Sequence, residues 1–160
     1  MLVMGVDPGA ERLGYGLVRE DGQRLETVAY GCIRTPAGQP LPSRLRSLYR
    51  ALKELLQKYQ PNALAVEELF WGQNVRTAMM VGKVAGVVLL AAAESDCPVF
   101  SYPPQVVKQA VTGYGRATKR QVQFVVKELL GLSAPPSPDD VADALALAIC
   151  HLSQVVKEGC

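Results

Sequence analysis

Leu2-Val3-Met4-Gly5-Val6 runs without a single polar side chain into Asp7-Pro8-Gly9. Five apolar residues stopped by a turn signal predict a strand buried on both faces. A carboxylate at the end of such a strand is costly unless it is paired, protonated or bound to a cation. Working outward, Leu13 to Arg19 and Leu25 to Arg34 predict two further strands joined near the hairpin signal Asp21-Gly22, an antiparallel meander. After the loop Thr35 to Pro42, Ser43 opens a helix to about Tyr59, with Leu45, Leu48, Tyr49, Leu52, Leu55 and Leu56 at helical spacing. Pro61-Asn62 breaks the chain, and Ala63 to Val66 is again apolar on both faces before Glu67-Glu68, as in a central strand covered by helices. A long helix rich in Ala, Gly and Val spans Thr77 to Ser95. A strand at Pro98 to Tyr102 follows, then helices at Gln105 to Val111 and Thr118 to Leu130 around the loop Gly113-Tyr114-Gly115. Beyond the proline-rich stretch Ser133 to Pro138, a helix runs from about Asp139 to Val156. The order βββαβαβ followed by helices predicts one α/β domain over 1–160, a five-stranded mixed sheet with helices on both sides.

Bulk properties narrow the function classes. The chain has 160 residues, 49% hydrophobic and 20% charged, the profile of an ordinary globular domain. The most apolar run, Val84 to Ala93, is bracketed by Lys83 and Glu94 before it reaches a membrane-spanning length of about 18 residues. No basic stretch precedes the first apolar run, so neither a signal peptide nor a membrane role is expected. Cys32, Cys97, Cys150 and Cys160 show no metal-ligand spacing and read as reduced thiols in a cytoplasmic protein. The net charge of +2 conceals two basic blocks: Arg44, Arg46, Arg50, Lys53 and Lys58, and then Lys108, Arg116, Lys119, Arg120 and Lys127, each set against one glutamate. Such blocks suit a polyanion, although solvated helix faces have the same composition.

Four acids carry the chemistry. Asp7 and Glu67 end apolar strands that a mixed sheet can place side by side. Asp140 and Asp143, at i and i+3, share one face of a helix's first turn. Taken singly, Asp7 serves an Asp-Pro-Gly turn. Asp140 serves a helix start in which Ser137 is the N-cap and Pro138 the first residue. Asp143 lies past that turn in Val141-Ala142-Asp143-Ala144-Leu145, where no cap explains it, and Glu67 has neither turn nor cap to serve. An all-oxygen set points to magnesium or manganese rather than zinc. Two ions bridged by Asp7, about 3.5–4 Å apart, would hold the attacking water and the leaving oxygen of a phosphodiester. Spacing alone leaves the choice between Glu67 and Glu68 open. His151, two turns beyond Asp143, reads as structural.

Gly5-Val6-Asp7-Pro8-Gly9 with Gly14-Tyr15-Gly16, Gly31-Cys32-Ile33-Arg34-Thr35, Leu41-Pro42-Ser43-Arg44-Leu45, Val66-Glu67-Glu68-Leu69-Phe70, Gln105-Val106-Val107-Lys108-Gln109 and Ala142-Asp143-Ala144-Leu145-Ala146 together resemble the RuvC family of bacterial Holliday-junction resolvases. The motifs occur in order over nearly the whole chain. The resemblance implies a ribonuclease H-like fold, a homodimer, and paired nicks of like polarity across a four-way DNA junction. It implies magnesium-dependent hydrolysis and the RuvA–RuvB branch-migration complex as a partner. It selects Glu67 over Glu68 and Asp140 over Asp139, with histidine at the Asp140 position in some relatives. Trp71-Gly72 and the lack of a basic tail depart from the pattern without touching these acids.

Substrate contacts follow from position. Phe70, in a loop after the catalytic strand, suits stacking on an unpaired base; the alternative is that it caps the core edge. Arg76 on the same segment reaches toward phosphate, and Lys108, Arg116 and Lys119 flank the adaptable Gly113 loop. The small residues of Thr77 to Ser95 suit a two-fold dimer interface. Actin-like and sugar-kinase ATPases also open on a strand ending in an Asp-Gly turn, but they need a second copy of the domain. A junction binder without catalysis gains nothing from clustered acids.

Overall fold

The structure, a computed structural model, describes residues 1–9, 11–22, 24–68 and 75–158. The apolar first run forms β1 (Leu2–Asp7). It lies at the centre of a five-stranded sheet of order β3-β2-β1-β4-β5, with β2 Arg12–Asp21, β3 Arg24–Arg34, β4 Ala63–Glu67 and β5 Val99–Tyr102. The meander β1-β2-β3 is antiparallel, and β1-β4-β5 is parallel. Gly22, at φ +62°, turns the hairpin in the left-handed region where a side chain is disfavoured. Parallel register sets Val6 opposite Val66, so the next residues, Asp7 and Glu67, emerge from adjacent strand ends. Asp7 also pairs with Gly14, and Glu67 with Tyr102.

Helices cover both faces as expected. On one face α1 (Leu41–Tyr59) and α2 (Val75–Ala93) pack against Met4, Val6, Leu13, Leu17 and Leu64. Leu48, Leu52 and Leu56 form the buried stripe of α1, each contributing about 1.5–3 kcal/mol by leaving water. On the other face lies α5 (Asp139–Glu158), flanked by α3 (Pro104–Thr112) and α4 (Lys119–Leu129). There, beside buried side chains such as Val3, Val18, Leu145 and Leu152, backbone comes against backbone at two glycines. A Cβ on Gly5 would stand 1.8 Å from the carbonyl oxygen of Ala144, and one on Gly14 2.1 Å from that of Asp140. Only glycine admits α5 this close. His151, buried on this helix, stacks on Phe100, and its Nδ1 lies 2.6 Å from Tyr102 Oη.

Several boundaries differ from the sequence reading, and proline accounts for two. α1 starts at Leu41 rather than Ser43, with Pro40 as N-cap and Pro42 inside the first turn, where a missing N–H costs nothing. α5 starts at Asp139, so Pro138 precedes the helix instead of opening it, and Ser137 is not its N-cap; the Ser137–Pro138 peptide is cis. Thr118 sits outside α4 as its N-cap, in a reciprocal capping box with Gln121.

Candidate active site

Three elements deliver acids to one cavity. Asp7 comes from the end of β1, Glu67 from the end of β4 and Asp143 from the second turn of α5. They line a cavity of about 180 Å³ together with Lys108, Lys119, Pro104, Val107 and Val122. The apolar members come from α3, α4 and, as Ala146 and Leu147, α5, so acids and lysines share a pocket with few groups able to solvate them.

Electrostatics follow from that crowding. Burial, followed by the charges of Asp143, Asp140 and Glu67, pushes the Asp7 carboxyl up from 3.8 to about 7, against the pull of Lys119. Glu67 is also raised, by withdrawal from water and by Asp143, with Lys108 and Lys119 opposing. Burial raises Asp143 in spite of Lys119, whose ammonium lies 3.2 Å from Asp143 Oδ2. Near neutral pH the cluster therefore shares a proton, or calls for a cation, at Asp7.

Asp140 stands apart. It opens onto a neighbouring groove lined by Gly9, Glu11, Arg12, Arg76 and Thr77. Its Oδ2 lies 3.2 Å from Arg12 Nε but is buried and accepts no hydrogen bond. Among the described residues no three His, Cys, Asp or Glu side chains converge on one point as they stand. Lys119 and Arg12 hold two of the four acids.

The family model for crossover junction endodeoxyribonuclease RuvC matches residues 3–151 of the chain. The chain belongs to the RuvC family. Its RuvC relatives include the crossover junction endodeoxyribonuclease of Desulfitobacterium hafniense, 54% identical over 155 residues, covering 97% of this chain and 94% of that one. The enzyme of Pelotomaculum thermopropionicum is 55% identical over 151 residues, covering 94% and 92%. Thermus thermophilus RuvC, solved in complex with a Holliday junction substrate, superposes with a TM-score of 0.94 at 36% identity, covering 99% of this chain and 96% of that one. The fold is accordingly the ribonuclease H-like one that the RuvC motifs imply.

Against that RuvC framework the remaining site residues can be placed. Lys108 and Lys119 reach the acid cavity, Arg76 lines the Asp140 groove, and Arg116 is exposed just ahead of α4. Phe70 and the residues Trp71 to Asn74, expected from sequence to form a loop, lie outside the described residues. Glu68 does not line the acid cavity, and its backbone N–H donates to the Tyr102 carbonyl. Sequence reasoning overlooked Arg12 and Asp139. Arg12 pairs with Asp140, and Asp139 Oδ2 lies 3.4 Å from Lys119 Nζ. The i, i+4 spacing of Asp139 and Asp143 was a signal that both could meet one cation.

Proposed function

We propose that this chain resolves Holliday junctions, cutting DNA by paired symmetric nicks through metal-dependent phosphodiester hydrolysis, in recombination and repair. The observation that carries the reading is the convergence of Asp7, Glu67 and Asp143 on one cavity with Lys108 and Lys119, in a member of a family of junction endonucleases. Asp7, Glu67 and Asp143 would hold the metal, with Asp140 as the fourth ligand. Their chemistry fits a hard divalent cation: the donors are carboxylates, Asp7 is pushed up to about 7 by burial and by the neighbouring carboxylates, and Asp140 Oδ2 is buried without a hydrogen bond. Magnesium is the expected ion, two per subunit, with manganese a substitute. When bound there, such an ion would supply Lewis-acid activation of water and charge neutralisation at the leaving oxygen.

The chain's own residues do the rest. Lys108 and Lys119 offset phosphate charge at the cavity mouth, Arg76 and Arg116 hold the adjoining backbone, and Phe70 stacks on a base opened at the junction. Products carry 5′-phosphate and 3′-hydroxyl ends. The second active site comes from a homodimer built on α2. This 19-residue helix is long and apolar enough to cross a membrane by length and composition. It buries Val84, Val88, Ala91 and Ala92 in the core and leaves Val75, Met79, Leu89 and Leu90 exposed. Gly82 and Gly86 face open space, which favours close approach of a second copy. The RuvA–RuvB complex as partner and a cytoplasmic location belong to the same reading.

The deciding experiment incubates the protein with a labelled four-way junction and magnesium, without nucleotide. Symmetric, ligatable nicks are expected, abolished by Asp7→Asn while junction binding persists. Magnesium-dependent cleavage retained in Asp7→Asn would sink the assignment. A charged replacement at Gly86 should give a monomer by light scattering.

A further inference from the structure

Lys119 is the only residue of α4 whose charge enters the acid cavity among the described residues, and two carboxylates share it. Its ammonium lies 3.2 Å from Asp143 Oδ2 and 3.4 Å from Asp139 Oδ2. Asp139 is fixed in turn, because Gln123 Nε2 donates to its Oδ1 at 3.0 Å. Lys119 and Gln123 are one turn apart on α4, and Asp139 and Asp143 one turn apart on α5, so two i, i+4 pairs face each other across the helices. Asp139 has no place in the acid cavity and serves no cap that any hydrogen bond records.

We propose that Asp139 is a positioning residue: with Gln123, it holds the Lys119 ammonium at the mouth of the acid cavity, where an incoming DNA phosphate must pass. The proposal rests on the nuclease reading above and adds a role outside the four acids. A lysine side chain is a mobile point charge on four methylenes, and one partner does not fix it. When Asp143 turns to a cation, Lys119 loses that partner, and Asp139 remains to keep the ammonium beside Lys108. Without Asp139 the ammonium has two poor options, to stay on Asp143 in competition with the cation or to leave for solvent. Both lower the rate of the cleavage step more than they weaken binding of DNA, which many other cations hold.

The test separates binding from cleavage. Junction affinity is measured by gel shift without metal, and the cleavage rate constant at saturating enzyme with magnesium. Asp139→Asn should slow cleavage about fivefold, at the low end for residues that orient active-site groups. Junction affinity should change less than about twofold or tighten, since a negative charge is removed. Asp139→Glu, which keeps the carboxylate, should recover most of the rate, and Gln123→Ala should give a smaller loss of the same kind. In a Lys119→Met background, whose slow residual cleavage is followed over longer times, Asp139→Asn should add nothing. An unchanged rate in Asp139→Asn, no recovery with glutamate, or the same fold-loss with and without Lys119 overturns the proposal. If the unaltered protein leaves the junction intact, the nuclease reading itself fails.

Discussion

The two faces of the sheet are packed on opposite principles. Beneath α1 and α2, large side chains interdigitate: Met4, Leu13 and Leu17 from the strands meet Leu48, Leu52 and Leu56. Beneath α5, Val3, Val18 and Ala65 share a core with Leu145 and Leu152, but Gly5 on β1 and Gly14 on β2 receive the helix backbone directly. A layer of leucines can shift by rotamer changes, but a backbone seated on a backbone cannot. The acids belong to the second face. Asp140, whose carbonyl abuts Gly14, and Asp143, next to the Ala144 carbonyl that abuts Gly5, are placed by the tightest contact in the fold. That is where a site needing sub-ångström placement belongs.

The contrast can be broken on either side. The largest effect should come from Gly5→Ala: the new Cβ has no room short of moving α5, at a cost of about 3–5 kcal/mol or failure to fold. Any folded fraction, isolated at low temperature, should have lost cleavage, because the helix carrying Asp140 and Asp143 has moved. Leu52→Ala on the leucine face should cost about 2–5 kcal/mol by chemical denaturation, yet cleavage per folded molecule should match the unaltered protein. Loss of cleavage there, with folding retained, would mean that both faces set the site.

A subtler test uses the acids' own repulsion. In the folded protein Asp7 binds its proton more tightly than in the unfolded chain, so stability falls as pH rises between about 4 and 7. Without divalent cation, Asp7→Asn should therefore be more stable than the unaltered protein at pH 8, on the order of 1–3 kcal/mol. The advantage should dwindle to nothing below about pH 4, as the unfolded carboxyl also takes up its proton. Smallest of all should be the magnesium-induced rise in melting temperature, a few degrees, and it should shrink in the same variant. A pH-independent difference between the two proteins would show that Asp7 is not under charge repulsion.

Much of this was legible in the linear chain. Two apolar runs each ending in an acid predicted two central strands and two of the acids that line the cavity, because a buried strand and a misplaced carboxylate both leave marks on local composition. The start of α1 at Leu41 was misjudged, and Pro138 was taken as the opening residue of α5, because proline stops a helix from within yet is welcome at or just before its first turn, and one sequence serves both. Glu67 could not be told from Glu68 by spacing, since the choice depends on which strand face meets the cavity. Arg12 and Asp139 escaped for a related reason. Each matters only through a partner on another element: the i, i+4 spacing of Asp139 and Asp143 hints at a shared cation, but no local pattern says which cation arrives when β2, α4 and α5 come together.

Every strand of the sheet precedes α5 in the chain, and two of the four acids ride on that helix. During synthesis, when domains fold as they emerge, the meander and α1 can assemble while the glycine-lined face is still bare. Asp7 and Glu67 then stand without Asp140 and Asp143, and the cavity lacks one wall. On the proposed site, a ribosome-bound fragment would be a harmless precursor, its four acids assembled only when α5 docks.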